Sequence, residues 1–143
     1  MNTKQIISII YFLLLFYIVF GIRIYPKMNI DGFHTHYGFN LQLFERYRNV
    51  HTLKQLMKII SNIDWYFNVL MFVPFPYCFQ QLFCVRNLYA IFAAGLISSV
   101  CIEIIQYIFK IGMADIHDIM TNTIGVAIGT GILKLIAGIS KNM

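Results

Sequence analysis

The stretch 114-ADIHDIMTNTIGVAIGTGIL-133 places two carboxylates and an amide directly ahead of an uncharged apolar run. Asp115, Asp118 and Asn122 are spaced three and four residues apart, so in a helix all three lie on one face. No charged residue occurs from Thr123 to Leu133. The pattern predicts a membrane helix that begins with a polar stripe, and it raises the question of what that stripe does.

The bulk composition indicates an integral membrane protein. Hydrophobic residues make up 59% of the 143-residue chain and charged residues 12%, whereas charged residues make up about 25% of soluble domains. A soluble fold of this length could not bury so much apolar surface, and we expect a single domain over residues 1–143. The net charge of +5 is scattered. It suits anionic lipid head groups rather than nucleic acid, because no basic stripe with interleaved aromatic residues is present.

Four apolar runs are long enough to cross a bilayer, which takes about 20 helical residues. The predicted transmembrane segments of this all-α bundle are residues 6–22, 67–83, 88–109 and 119–133. The first is longer than the roughly 7–15 apolar residues of a signal peptide, which favours a retained anchor. The second contains Pro74 and Pro76. We expect these prolines to kink or break its helix, so that neighbouring helices must satisfy the freed carbonyls.

A polar loop, residues 25–65, separates the first two segments. Within it, residues 52–63 carry apolar side chains on one helical face and polar side chains, including Lys54 and Lys58, on the other. This pattern predicts an amphipathic helix lying in the membrane interface. An ordinary helix packed against the bundle is the alternative interpretation.

Passing the four segments alternately across a bilayer gathers polar side chains at one membrane face. Asn68 lies at the start of the second segment, and Glu103 and Gln106 lie near the end of the third. The stripe that opens the fourth segment starts from the same face. The predicted ligand-binding residues are therefore Asn68, Glu103, Gln106, Asp115, Asp118 and Asn122.

A structural role competes with a binding role for each of these side chains. Asp115 and Asp118 could be the cap and the third residue of a helix, but Asn122 lies too far along to be a cap. Glu103 interrupts an apolar run, where a carboxylate costs about 2.5–3.5 kcal/mol at the bilayer centre on insertion scales. It must be paired, neutralised or face a wet cavity. If the protein is an enzyme, Glu103 and Asp118 are the candidate general bases.

Other residue types predict packing rather than chemistry. Three glycines give the fourth segment a small-residue face for close helix contact: Gly125, Gly129 and Gly131. Three cysteines lie in apolar runs and are interpreted as small packed hydrophobic residues: Cys78, Cys84 and Cys101. His34 and His36 lack a second pair of ligands. We therefore predict neither a metal site nor a cofactor.

Three blocks of the sequence resemble the VanZ-like family of small bacterial membrane proteins. The blocks are 68-NVLMFVPF-75, 103-EIIQ-106 and 115-DIHDIMTNTIGVAIG-129, and 39-FNLQLFERY-47 is a weaker fourth. Their order and separation also match, over roughly residues 40–130, and the six predicted binding residues are the signature positions. Pro76 stands where the family usually has glycine, and Ala114 stands where many members have arginine.

The resemblance implies a role in resistance to glycopeptide antibiotics, teicoplanin more than vancomycin, in the bacterial cell membrane. We hypothesise a non-enzymatic factor whose polar site binds a lipid head group, a lipid-linked cell-wall precursor or the drug's membrane anchor. One alternative is an enzyme acting on a lipid-linked envelope substrate. Another is a structural or partner-binding membrane subunit. The sequence leaves open the oligomeric state and the side of the membrane that the polar site faces.

Overall fold

Helices make up most of the fold. The computed structural model describes residues 2–21, 39–40, 52, 63–111 and 114–141. In these residues the helices are α1 (Thr3–Phe16), α2 (Ile63–Phe72), α3 (Phe75–Phe83), α4 (Leu88–Ile108) and α5 (Ile116–Lys141). A π-helical turn, Tyr17–Gly21, continues α1. The predicted all-α class is confirmed, with one addition described next.

Two short strands bring part of the long polar loop back to the bundle. β1 (Phe39–Asn40) pairs in parallel with β2 (Ala114–Asp115), so that Phe39 lies opposite Ala114 and Asn40 opposite Asp115. β2 leads directly into α5. The loop is therefore attached at the start of α5, where the polar stripe begins.

Three helices of the described part are long and apolar enough to cross a membrane. They are Thr3–Gly21, Leu88–Ile108 and Ile116–Ala137, and they correspond to the first, third and fourth predicted segments. α5 begins three residues earlier than predicted and continues well past Leu133 to Lys141. The predicted amphipathic helix, residues 52–63, falls almost entirely outside the described residues.

The second predicted segment is two helices rather than one. α2 and α3 contain 10 and 9 residues, so each rises about 15 Å or less, about half the thickness of the apolar layer. Pro74 and Pro76 cause the break, because neither has an N–H for the carbonyl four residues earlier. The Tyr11 hydroxyl of α1 donates to the Met71 carbonyl beside the break, at 2.7 Å. A neighbouring helix thus bonds to the backbone at the break. Met71 lies between the two residues whose carbonyls the prolines free, and contacts to those two carbonyls stay a prediction.

α5 packs against the broken helix through glycine. A Cβ atom added at Gly125 would collide with the Val69 carbonyl, and one at Gly129 would collide with the Val73 carbonyl. One at Gly129 would also lie 2.9 Å from Pro76 Cδ. These contacts require that Gly125 and Gly129 carry no side chain. They bring the backbone of α5 directly against the backbone of α2 and of the break that leads into α3.

Gly131 does not belong to this contact face. A Cβ atom there would meet no atom within 4 Å, so the prediction that all three glycines pack is wrong for this one. The reason is helical geometry: two residues beyond Gly129 is about 200° around an α-helix. Gly131 therefore lies on the outer side of α5.

The cysteines divide in the same way. Cys78 is buried, but Cys84 and Cys101 are exposed, and all three are free thiols. The prediction of packed cysteines is therefore correct only for Cys78. Cys84 is the C-cap of α3 and has a left-handed backbone conformation, with φ 55°. Cys101 lies on an outer face of α4.

A column of aromatic rings fills the interior beside the break. The Phe72 and Phe75 rings stack with centroids 5.9 Å apart, and the Phe75 and Phe79 rings with centroids 5.7 Å apart. Phe12 of α1 meets Phe75 edge-on at 5.4 Å. The column thus links α1 to α2 and α3.

α4 and α5 also pack closely. Gly95 of α4 lies against Val126 of α5, and a Cβ atom added at Gly95 would be 2.6 Å from either γ-carbon of Val126.

We expect Gly129→Ala to destabilise the fold by about 1–3 kcal/mol, the usual cost of overpacking, because the new methyl group meets a backbone carbonyl. Gly131→Ala is the matched control on the same helix, and it should change stability by no more than about 1 kcal/mol, in the favourable direction, because alanine is the better helix former. The free energy of unfolding in mixed micelles, followed by the fluorescence of the single tryptophan, measures both. Equal effects of the two variants would contradict the packing described.

We expect Tyr11→Phe to lower stability by about 1–3 kcal/mol, because it leaves the half-buried Met71 carbonyl at the break without its donor. Tyr17→Phe removes the same hydroxyl from a side chain that is 62% exposed, and it should stay within about 0.5 kcal/mol of wild type. The same unfolding titration compares them. If Tyr11→Phe were as stable as Tyr17→Phe, the hydroxyl would not support the broken backbone.

Candidate functional site

Four chain segments meet at one end of the helical bundle. They are the π-helical turn after α1, the start of α2, the end of α4 and the start of α5. Hydrogen bonds between side chains and backbone groups join these segments in pairs. We refer to the six predicted residues gathered here as the polar end: Asn68, Glu103, Gln106, Asp115, Asp118 and Asn122.

The Glu103 carboxylate holds the start of α5. Its Oε2 accepts a hydrogen bond from the backbone N–H of Asp115 at 2.9 Å, and the residue is only 3% exposed. In a capping box, a glutamate in the first helical turn accepts this N–H from the residue that precedes the helix. Here a glutamate of α4 makes that bond to α5. The buried carboxylate is thus paired, which was the structural alternative for Glu103.

Asp115 caps α5. Its Oδ1 accepts the backbone N–H of His117, two residues along, at 2.9 Å. This is the N-cap arrangement, which satisfies one of the four free N–H groups at the start of a helix. The structural role considered for Asp115 is therefore confirmed, while a binding role for its half-buried side chain stays a prediction.

Asp118 is the third residue of α5, in its first turn, which was the structural role considered for it. Its side chain also bonds to α2. Asn68 Nδ2 donates to Asp118 Oδ1 at 2.8 Å. Both residues are half-buried, so their polar atoms lie near the surface of the bundle end. This bond joins the second and fourth predicted segments, as alternate passage across the membrane predicts.

Gln106 connects the same end to α1. Its Nε2 donates to the Val19 carbonyl at 3.3 Å, and the residue is 1% exposed. Val19 belongs to the π-helical turn, a wider turn that often occurs at functional sites. Sequence spacing predicted where Gln106 lies but gave no sign of this partner.

Asn122 reaches α4 deeper in the bundle. Its Nδ2 donates to the hydroxyl of Ser99 at 3.0 Å. Asn122 is 4% exposed and Ser99 is fully buried. A helix-to-helix polar contact was one of the two roles open to Asn122, and this bond confirms it.

Ser99 was missed by the sequence analysis, and His117 is not among the six predicted residues. Ser99 lies four residues before Glu103, one helical turn away on the same face, so helical spacing could have identified it. His117 is 3% exposed, and its ring centroid lies 6.2 Å from that of Trp65 in α2. Its position between Asp115 and Asp118 places it on another side of the helix, so the stripe pattern excluded it.

The residues of the polar end differ in exposure. Asn68, Asp115 and Asp118 are half-buried and carry carboxylate and amide groups, whereas Glu103 and Gln106 are buried. Among the described residues, no group of three or more histidine, cysteine or acidic side chains could hold a metal ion. His34 and His36 lie outside those residues.

Comparison with known proteins identifies relatives. The model of the VanZ/LLP1 family matches residues 8–137 of the chain. Protein VanZ of Enterococcus faecium is 41% identical over 76 residues, which cover 53% of this chain and 45% of that protein. The chain therefore aligns with less than half the length of that relative. No solved structure matches the chain significantly.

The Asn68–Asp118 pair is testable by exchange. Asn68→Asp alone should destabilise the fold by about 1–3 kcal/mol, because two carboxylates would face each other across a 2.8 Å contact. Adding Asp118→Asn reverses donor and acceptor, so most of the lost stability should return. Unfolding in mixed micelles measures the single and double variants. A double variant no more stable than Asn68→Asp would mean that the two side chains do not interact.

Proposed function

Because the chain belongs to the VanZ/LLP1 family, we propose that it is an integral protein of the bacterial cell membrane whose polar end binds a polar head group. The head group belongs to a membrane lipid, a lipid-linked cell-wall precursor or the membrane anchor of a glycopeptide drug. By occupying that head group, or by changing how the drug reaches it, the protein lowers sensitivity to teicoplanin. The role is one of binding rather than catalysis.

We also propose that α2 and α3 cross the membrane together as a fourth span. The support comes from α5, whose Gly125 lies against Val69 of α2 and whose Gly129 lies against the Val73 carbonyl at the break. Because α5 runs beside both short helices, the pair follows its path across the apolar layer. Together they occupy residues 63–83, close to the length that a span requires.

One observation carries the binding proposal: polar side chains from three helices are joined by hydrogen bonds at one end of the bundle. A carboxylate or amide in a membrane helix is costly, and such residues usually mark a pathway or a site. A single contact such as Asn122–Ser99 would be sufficient to fix helix register. The additional carboxylates of Asp115 and Asp118 lie toward the outside, where a head group arrives.

The layering of the side chains supports separate roles. Asn68, Asp115 and Asp118 are half-buried, so they are the residues proposed to touch a head group. Glu103 and Gln106 are buried and bond to backbone groups, so they are proposed to position the outer layer. This division predicts that changing Glu103 alters binding through the start of α5.

Expression in a teicoplanin-sensitive Gram-positive host tests the proposal. Wild-type protein should raise the minimum inhibitory concentration of teicoplanin more than that of vancomycin. Glu103→Gln should lose most of this protection, because a neutral amide is a weaker acceptor for the Asp115 N–H than a carboxylate.

The matched control for this experiment is Thr130→Val. Thr130 Oγ1 donates only within α5, to the Val126 carbonyl at 2.8 Å, and it lies away from the polar end. This variant should protect as well as wild type at equal membrane levels. No protection by wild type, or equal protection by Glu103→Gln, would overturn the proposed role.

A further inference from the structure

Asn122 and Ser99 form the innermost polar contact between α4 and α5. We call these two residues the inner pair. Ser99 lies four residues before Glu103 on α4, and Asn122 lies four residues after Asp118 on α5. The pair is therefore one helical turn, about 6 Å, further in than those carboxylates. It continues the polar end inward rather than forming a separate cluster.

The inner pair uses only part of its hydrogen-bonding capacity. Asn122 Oδ1 is buried and accepts no hydrogen bond from the part of the chain that the structure describes. Ser99 Oγ serves as the acceptor for Asn122 Nδ2, and its own O–H donates to no described group. By contrast, the buried hydroxyl of Ser8 donates to the Lys4 carbonyl of its own helix at 2.8 Å.

The deficit lies in a place without bulk water. In the orientation of the structure, the Asn122 amide oxygen lacks a donor and the Ser99 hydroxyl proton lacks an acceptor among the described residues. Native interiors pair such groups with ordered water or a ligand.

We propose that the inner pair binds a hydroxyl group. A hydroxyl can donate to Asn122 Oδ1 and accept from Ser99 O–H at the same time, which completes both side chains. An ammonium group would satisfy only the acceptor, and a carboxylate only the donor. The hydroxyl comes from a lipid head group, in which case the inference rests on the function proposed above, or from a water molecule.

Two lipids that differ in the head-group hydroxyls distinguish the sources. Phosphatidylglycerol and phosphatidylethanol with identical acyl chains both carry one negative charge, but only the first has free hydroxyls. Native mass spectrometry of the purified full chain should show phosphatidylglycerol bound about three- to tenfold more tightly, the size of one or two neutral hydrogen bonds. Ser99→Ala should abolish this preference while phosphatidylethanol binding is unchanged.

Ser8→Ala is the matched control, because it removes another fully buried serine hydroxyl far from the polar end. It should keep the preference for phosphatidylglycerol. If both serine variants lost the preference equally, the proposal that the inner pair binds a head-group hydroxyl would be overturned. If Glu103→Gln left binding of both lipids unchanged, head-group binding by the polar end would fail, whatever the result for Ser99.

The water source is tested separately by nuclear magnetic resonance. In protein labelled with ¹⁵N-asparagine, the side-chain signal of Asn122 is identified by its absence in Asn122→Leu. A nuclear Overhauser contact from this amide to water, lost in Ser99→Ala and kept in Ser8→Ala, would support a bound water. If the wild-type lipids bind equally and no contact to water is present, the inner pair binds no hydroxyl and the inference is wrong.

Discussion

The fold depends on satisfying backbone groups where the chain is interrupted between α2 and α3. The break lies beside the buried rings of Phe72 and Phe75, where no solvent replaces a lost helical hydrogen bond, so it requires neighbours that can approach closely. Tyr11 supplies a donor to Met71 from α1. Gly125 and Gly129 allow α5 to lie directly on the carbonyls of Val69 and Val73. The break therefore determines which helices are adjacent and how near they come.

The same requirement recurs at the start of α5, where the free N–H groups of a helix terminus need acceptors. Asp115 accepts the N–H of His117, and Glu103 accepts the N–H of Asp115. A carboxylate that would be costly alone is thus stabilised by a backbone dipole. Because Glu103 belongs to α4, the bond also fixes the position of α5 relative to α4. The Glu103–Asp115 contact therefore both fixes the packing of α5 on α4 and organises the polar end.

Sequence patterns predicted these features to the extent that they follow from local rules. The length of apolar runs located α1, α4 and α5, and alternate passage across the membrane predicted that Asn68 and Asp118 lie at the same face. Proline chemistry predicted a kink or a break, and the structure has the break. Partners such as Val19 for Gln106 and Ser99 for Asn122 were not predictable, because they depend on helix rotation and depth. Gly131 was misassigned although its spacing of two residues from Gly129 already places it on another side of an α-helix.

The polar stripe that opens α5 is best understood as a gradient of depth. Asp115 lies at the helix start and bonds to backbone, Asp118 lies one turn on and bonds to α2, and Asn122 lies another turn on and bonds to α4. Along this path charge gives way to a neutral amide, as the falling polarity of a membrane requires. Each of these three residues bonds to a different partner, so a displacement of α5 would disturb all three hydrogen bonds together. A ligand at the outer carboxylates would consequently act on the packing of the whole bundle.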